Sequence, residues 1–427
     1  MIDPQAKPKS YLRLMALVAL LGLVSAVVTF VFMALVKQGI GLIWEQAILV
    51  TGIEPRLFAF VVCALGGLLV GLLVKLFGDH NAIFGELMQE FGRTGRFDYR
   101  HAPGIVITAL VSLISGASLG PEAPLADACG GIGTWISDKL KLNERETRVM
   151  GYGGLSAMLA AFITNPLGGA LLGLESAQSG LLGSVQVYFW GLFPSLLASA
   201  VATVAFVALT GKFFARLYEF PDYIPRAIDL VQAVPLSLIG GAAGLLFMLM
   251  FRWLRRFMQP LNKHLVLRGL IGGLGMGIIG ALLPLILFSG EEQTLDLVYQ
   301  ASEIGFWMLI LLAIGKLFAT SLLLATGWKG GYIFPIMFAG VALGMAGKLL
   351  FPDVPTAVTV AATLAGALVT ALRAPLFAAL FTLVLVQAET APVVAVAVLV
   401  SSLLAAVLAL RESRQKTTNE NTHRSAS

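Results

Sequence analysis

Glu122 stands between two prolines in the stretch SLGPEAPLADACGGIG (118–133), directly after an apolar run of helical length. Where a helix starts, its first N–H groups lack intrahelical acceptors, and the positive end of its dipole attracts negative charge. A carboxylate there can fill such a place, compete with a free anion for it, and leave it when protonated or displaced. The plain alternative is an N-terminal carboxylate that stabilises its own helix by about 0.3–1 kcal/mol. At membrane depth ionisation is costly and carboxylates serve function by default, which favours the first reading. A second stretch, KGGYIFP (329–335), is built the same way. Its glycines let backbone approach an ion, and its proline falls in a first turn, where the missing N–H would be orphaned anyway. Two such helix starts at one point make a cationic place without cationic side chains.

Other chemistries find less in the chain. Asp127 follows Pro124 within the same first turns and reads as an ordinary helix-start carboxylate. Pairing it with Glu122 in an intramembrane enzyme would require a nucleophile or metal ligands beside them, and the sequence supplies neither. Cys63 and Cys129 both sit in apolar surroundings, so no disulfide framework is indicated, and four histidines give no metal cluster. Neither a metal nor a cofactor is expected.

The elements that carry these residues are apolar. Of 427 residues 58% are hydrophobic and 12% charged, about half the charged share of a soluble protein. Apolar segments fall near 11–37, 57–77, 103–118, 149–175, 186–211, 230–254, 266–289, 303–326, 333–350, 356–372, 374–387 and 391–410. Recurrence of windows near the ~20 residues that span a bilayer marks an all-α polytopic membrane protein. The segments joining them, such as 78–103, 137–148 and 252–268, read as charged loops too short for a domain, so 1–427 is one membrane unit. The first apolar segment is too long for a signal-peptide core and is read as a retained helix. Lys7, Lys9 and Arg13 around its start place the N-terminus in the cytoplasm by the positive-inside rule. The net charge of +5 reflects the same bias. The tail 411–427 is basic and polar without interleaved aromatics, a solvated cytoplasmic flank and no nucleic-acid site.

The chain also repeats itself. Pro124 precedes Gly133 in PLADACGGIG as Pro335 precedes Gly344 in PIMFAGVALG, and NPLGGALL (165–172) matches APLFAALF (374–381) at nearly the same distance downstream. Halves of roughly 50–215 and 266–410 follow from this. Repeats with breaks at corresponding places put a transport site at their interface, near the bilayer midplane.

At these residues the chain resembles the CLC chloride channels and chloride/proton antiporters. GPEAP (120–124) is similar to that family's G-[KR]-E-G-P, and GGYIFP (330–335) to its G-G-x-F-x-P; 151–175, 316–335 and 373–387 resemble further family segments in order. The resemblance spans roughly 100–390. It implies an inverted repeat of tilted and broken helices, and a homodimer with one pore per subunit in a bacterial inner (plasma) membrane. It implies Glu122 as the gate, and backbone groups at Gly120, Ala123, Tyr332, Ile333 and Phe334 as anion-coordinating.

The departures shape the rest. Pro121 stands where the family has Lys or Arg, which removes a charge and an N–H. Ile333 replaces the motif phenylalanine and Phe334 follows it, so the register of the amides is open by one residue. The family's G-S-G-I-P is replaced by FGDHNAIFGEL (77–87); there an ionised Asp79 would repel an anion, and Asn81 is the better candidate ligand, with a loop cap as its equal. Glu175 ends its segment as LGLESAQ with Ser176 where proton-coupled members carry a second glutamate. Glu175 is thus a candidate coupling residue, with a structural helix-end role as the stronger expectation. The expected function is transport of an anion, chloride first, passive or loosely coupled to protons. A fluoride exporter, a tightly coupled antiporter and a non-transporting scaffold are the alternatives.

Overall fold

A computed structural model describes residues 8–80, 83–176, 187–211, 213–214 and 218–425. Among these, secondary structure is helical throughout save one isolated bridge. The helices are α1 (Pro8–Ile40, prolonged to Thr51), α2 (Pro55–Phe77), α3 (Phe84–Thr94), α4 (Ala102–Ile114), α5 (Glu122–Lys139), α6 (Glu144–Ile163), α7 (Pro166–Ser176) and α8 (Phe193–Thr210). A second series follows: α9 (Ala227–Met258), α10 (Leu265–Leu282), α11 (Gln293–Tyr299), α12 (Phe306–Ala325), α13 (Ile333–Leu350), α14 (Thr356–Leu372), α15 (Pro375–Leu385) and α16 (Ala391–Ser425). Eight helices of the described residues are long and apolar enough to cross a membrane, and α4, α14 and α15 are shorter apolar helices. It is a polytopic membrane protein.

The two series match. Helices α5 and α13 are 18 residues each, with proline third (Pro124, Pro335) and glycine twelfth (Gly133, Gly344). Helices α7 and α15 are 11 residues each and open on proline. Each is preceded by a left-handed residue that ends the helix before it, Thr164 at φ 48° and Arg373 at φ 55°. Helix α1 lies against α6 and α8 as α9 lies against α14 and α16.

Small residues bring these helices close. Helix α2 crosses α10 where a Cβ on Gly67 would meet Gly269 O at 2.6 Å, and one on Gly269 would meet Gly67 O at 2.7 Å. Without a hydrophobic drive between helices in lipid, such backbone contact carries the association.

Several boundaries depart from the sequence reading. The expected loop 78–103 contains α3, an amphipathic helix that buries Phe84, Leu87, Met88 and Phe91 while Glu90 faces outward. Its charges concealed an apolar stripe of one face. Segment 149–175 is two helices, in keeping with the resemblance of 151–175 to a helix pair that ends in a proline-led helix; the break is at Thr164–Asn165, where Asn165 Oδ1 accepts from Gly168 N at 3.1 Å. Segment 266–289 ends at Leu282, before Pro284. In the expected loop 252–268, α9 runs on to Met258, and the helix after 391 continues to Ser425 through the expected tail.

Candidate functional site

The two broken segments meet. Helix α4 ends and Gly116 turns the chain at φ 86°; α12 ends and Gly327 turns it at φ 89°. Four residues further on in each, Gly120 and Gly331 pair as an antiparallel bridge, Gly120 N to Gly331 O at 2.9 Å and Gly331 N to Gly120 O at 2.5 Å. Two residues later each chain starts a helix, at Glu122 and at Ile333. Glu122 is therefore the positional counterpart of Ile333, and the two helix starts face a common point. The first break is pinned to α12, since Thr320 Oγ1 donates to Ser118 O at 2.8 Å.

Glu122 closes that point. Its side chain is 1% exposed, and Oε1 accepts from Phe334 N at 3.0 Å. Oε2 is buried with no hydrogen-bond partner among the described residues. It rests instead against the two glycines: a Cβ on Gly331 would lie 1.9 Å from it, and one on Gly120 would lie 2.1 Å away. Only residues without side chains can line such a cradle. The carboxylate thus sits against glycine backbone and takes an N–H from the opposite helix start.

The other expected ligands lie around this cradle. Ala123, fully buried, is the second residue of α5, so its N–H has no acceptor within the helix. Phe334 holds the same position on α13, and Ile333 is the first residue of that helix. The N–H of Gly120 is spent on the bridge, so its contribution to the cradle is the missing side chain. Tyr332 is buried with its ring 5.1 Å from that of Phe247, and its hydroxyl lies beside Gly85 at the start of α3. Phe334 is held edge-on by Phe162 and Phe214 at 4.9 and 6.0 Å, which fixes the amide that Glu122 accepts from. Asn81 lies outside the described residues.

Glu175 is placed elsewhere. Oε1 accepts from Leu376 N at 2.6 Å and Oε2 from Phe377 N at 2.8 Å. These are first-turn amides of α15, so the last turn of α7 in one series caps the start of its counterpart in the other. The equivalent position on α15 is Val384, so only one direction of this cap exists. Asp127 is buried one and a half turns down α5 from Glu122, with Asp98 and Glu90 in its electrostatic surroundings.

The place of Lys316 and the partners of Asp79 escaped the sequence reading. Lys316 is fully buried on α12 and donates to the carbonyls of Ile286, Leu287 and Phe288 at 2.9, 3.3 and 2.7 Å. Asp79 receives Arg268 Nη2 at 2.5 Å and Lys329 Nζ at 3.3 Å. The only signal for these was the rarity of charge in an apolar chain. The Gly120–Gly331 pairing had a better one, a glycine at the same place in each repeat.

A family profile described as "Voltage gated chloride channel" matches residues 66–406. Curated relatives include YfeO, named as a candidate ion-transport protein, of Escherichia coli O139:H28 (strain E24377A / ETEC), 28% identical over 370 residues and 84% of each chain. The same protein of Shigella boydii serotype 18 (strain CDC 3083-94 / BS512) matches equally, at 28% over 370 residues. Among solved structures, a slow cyanobacterial Cl-/H+ antiporter superposes with a TM-score of 0.79 at 21% identity, over 96% of both chains. A CLC-type fluoride/proton antiporter superposes at 0.75 and 19%, over 93% of this chain and 97% of that one. The matched profile covers most of the chain and includes both helix starts and the cradle between them, so this protein belongs to the voltage-gated chloride channel (CLC) family.

Proposed function

We propose that the chain moves a small inorganic anion, chloride first, across a bacterial inner (plasma) membrane, along a pathway that the Glu122 carboxylate closes. One observation carries this reading: a buried carboxylate occupies a glycine cradle and accepts the Phe334 N–H from the facing helix start. An oxygen of the carboxylate stands where a free anion would accept the same N–H. The first-turn amides of Ala123 and Ile333 point additional N–H groups toward that place, and the dipole of each helix favours negative charge there. The unpartnered Oε2 weakens the seat, which suits a gate that must leave it.

Proton coupling is the finer question. Both oxygens of Glu175 are engaged by amides of α15, and its neighbour Ser176 carries a hydroxyl that does not titrate near neutral pH. Passive or loosely coupled movement follows. The face bearing Arg252, Arg255, Arg256 and Lys263 is the cytoplasmic one by the positive-inside rule. It is also the face reached after two spans from the N-terminus, so the N-terminus is cytoplasmic too. Two copies, each with its own pathway, are the assembly in keeping with the family resemblance.

The test is efflux from proteoliposomes loaded with potassium chloride or potassium fluoride, with internal pH recorded. Chloride efflux above protein-free vesicles, with little proton movement against a pH gradient, is expected. Fluoride efflux alone would change the substrate; stoichiometric proton pumping would make the chain a tight exchanger. No efflux of either anion would make it a scaffold.

A further inference from the structure

Lys316 is an ionisable side chain inside a membrane-spanning helix, a costly placement that marks function. It is completely buried on α12, and no ion pair of the described residues includes it. Its partners are backbone. Nζ donates to Ile286 O at 2.9 Å, Leu287 O at 3.3 Å and Phe288 O at 2.7 Å, and stands 4.9 Å from the centre of the Phe338 ring. The three carbonyls converge on one nitrogen, and an ammonium has the three N–H groups to fill them. Nothing in the account of the gate has yet used this residue.

What the carbonyls belong to gives Lys316 its reach. They lie in the turn after α10, and since α10 crosses back from the face of Arg256 and Lys263, this turn is on the outer side. Phe288 is left-handed there at φ 61°, a conformation that a phenylalanine keeps only when its surroundings hold it. Its N–H donates to Gly116 O at 3.2 Å, and Gly116 is the residue that turns the chain from α4 toward the gate. Trp44 packs 5.1 Å from the Phe288 ring and donates Nε1 to Ile114 O at 2.9 Å, closing the same corner. One turn along α12 from Lys316, Thr320 holds Ser118 O. Residues four apart share a helix face, so one face of α12 holds the chain at Gly116, through Phe288, and at Ser118 directly. The next residue but one is Gly120, whose backbone lines the cradle.

We propose that Lys316 is a positioning residue for the gate: it fixes the 286–288 turn, which holds Gly116 and with it the approach to the helix start at Glu122. The proposal rests on the gating role given to Glu122 above. Lys316 makes no bond to that carboxylate, whose one hydrogen bond comes from Phe334 N while Oε2 has no partner. Without the ammonium, three buried carbonyls lose their donor, and the turn must reorient to find others. Gly116 then loses the Phe288 N–H, and the Gly120 backbone drifts against Gly331. A seat in which Oε2 fits only because two side chains are missing tolerates little drift. The gate closes less completely at neutral pH, where the ionised carboxylate is what closes it.

The test is chloride flux through Lys316→Met in proteoliposomes, at acidic and at neutral pH. Methionine keeps an unbranched stem and brings no N–H. The ratio of acidic to neutral flux should fall at least about threefold, because flux at neutral pH rises. In Glu122→Gln, whose profile is already flat, adding Lys316→Met should change nothing. A ratio like that of the unmodified protein, or an equal change in both backgrounds, overturns the proposal. Should Lys316→Met fail to fold, Lys316→Ala decides, with n-propylammonium supplied in place of the Cγ, Cδ, Cε and Nζ removed. A pH ratio restored by this amine and not by tetramethylammonium, which has no N–H, supports the positioning. A ratio indifferent to the amine, or a protein that the amine does not fold, rejects it. If the unmodified protein passes no anion, the transport reading fails and hydrogen exchange decides: faster exchange at 117–120 in Lys316→Met keeps the hold on this segment, and unchanged exchange rejects it.

Discussion

Glu122 works through what surrounds it. Its carboxylate fits because Gly120 and Gly331 have no side chains, so a methyl group at either place should evict it. Gly331→Ala would put a carbon 1.9 Å from Oε2, which no packing adjustment of a backbone-held residue absorbs. Anion flux through Gly331→Ala should lose its pH dependence while the fold persists, read as a flat flux profile across the pH range where the unmodified protein varies. A profile like that of the unmodified protein would mean that the cradle does not seat the gate. Much of this site was legible in the sequence: a proline-flanked glutamate and a repeated glycine–proline pattern were enough to bring two helix starts to one place. The partner amide was less so. The choice between Ile333 and Phe334 turned on a one-residue register, and the structure gives Glu122 the N–H of Phe334. The Asp79–Lys329 contact was out of reach, because it joins residues 250 apart whose types say nothing of each other.

Helices α7 and α15 give the structural role expected of Glu175 a particular form. Glu175 stands at the end of an apolar helix beside Ser176, and its carboxylate binds two amides that α15 cannot satisfy itself. A hydrogen bond to a charged group contributes about 1.5–3 kcal/mol, so Glu175→Ala should lower stability by roughly that amount or somewhat more. Thermal unfolding in detergent would register it, and anion flux per folded protein should change little. Loss of proton movement without loss of stability would instead make Glu175 a relay. The cap was not visible in advance because it crosses between repeats, and sequence periodicity reports only on contacts within one helix. Amphipathic α3 was missed for a related reason: in an apolar chain, a helix with one polar face looks like a loop.

At the scale of the molecule, the Asp79 carboxylate ties together Arg268 and Lys329, which lie far apart along the chain. Burial raises the Asp79 pKa, and Lys329 and Arg268 outweigh it, so the carboxyl is held below its ordinary value of 3.8. A depressed carboxyl stabilises the fold above its ordinary pKa, and that contribution is lost as pH falls through the lower, folded value. The stability advantage of the unmodified protein over Asp79→Asn should thus be constant near neutral pH and shrink only below about pH 4. Thermal unfolding of both proteins across that range checks it; an advantage that shrinks already between pH 5 and 7 would contradict the pairing. The architecture itself was readable from twelve apolar segments and one internal repeat, since hydropathy fixes spans and the breaks fix the site. The central claim is that Glu122 is the gate, and anion flux through Glu122→Gln in proteoliposomes, measured as a function of pH, tests it most directly. Glutamine fills the same volume but does not titrate, whereas one carboxyl can change the open fraction by up to about tenfold per pH unit on its steep limb. The account predicts flux through Glu122→Gln that stays nearly constant with pH and is at least as fast as the unmodified protein at its acidic maximum. A pH profile like that of the unmodified protein would contradict it.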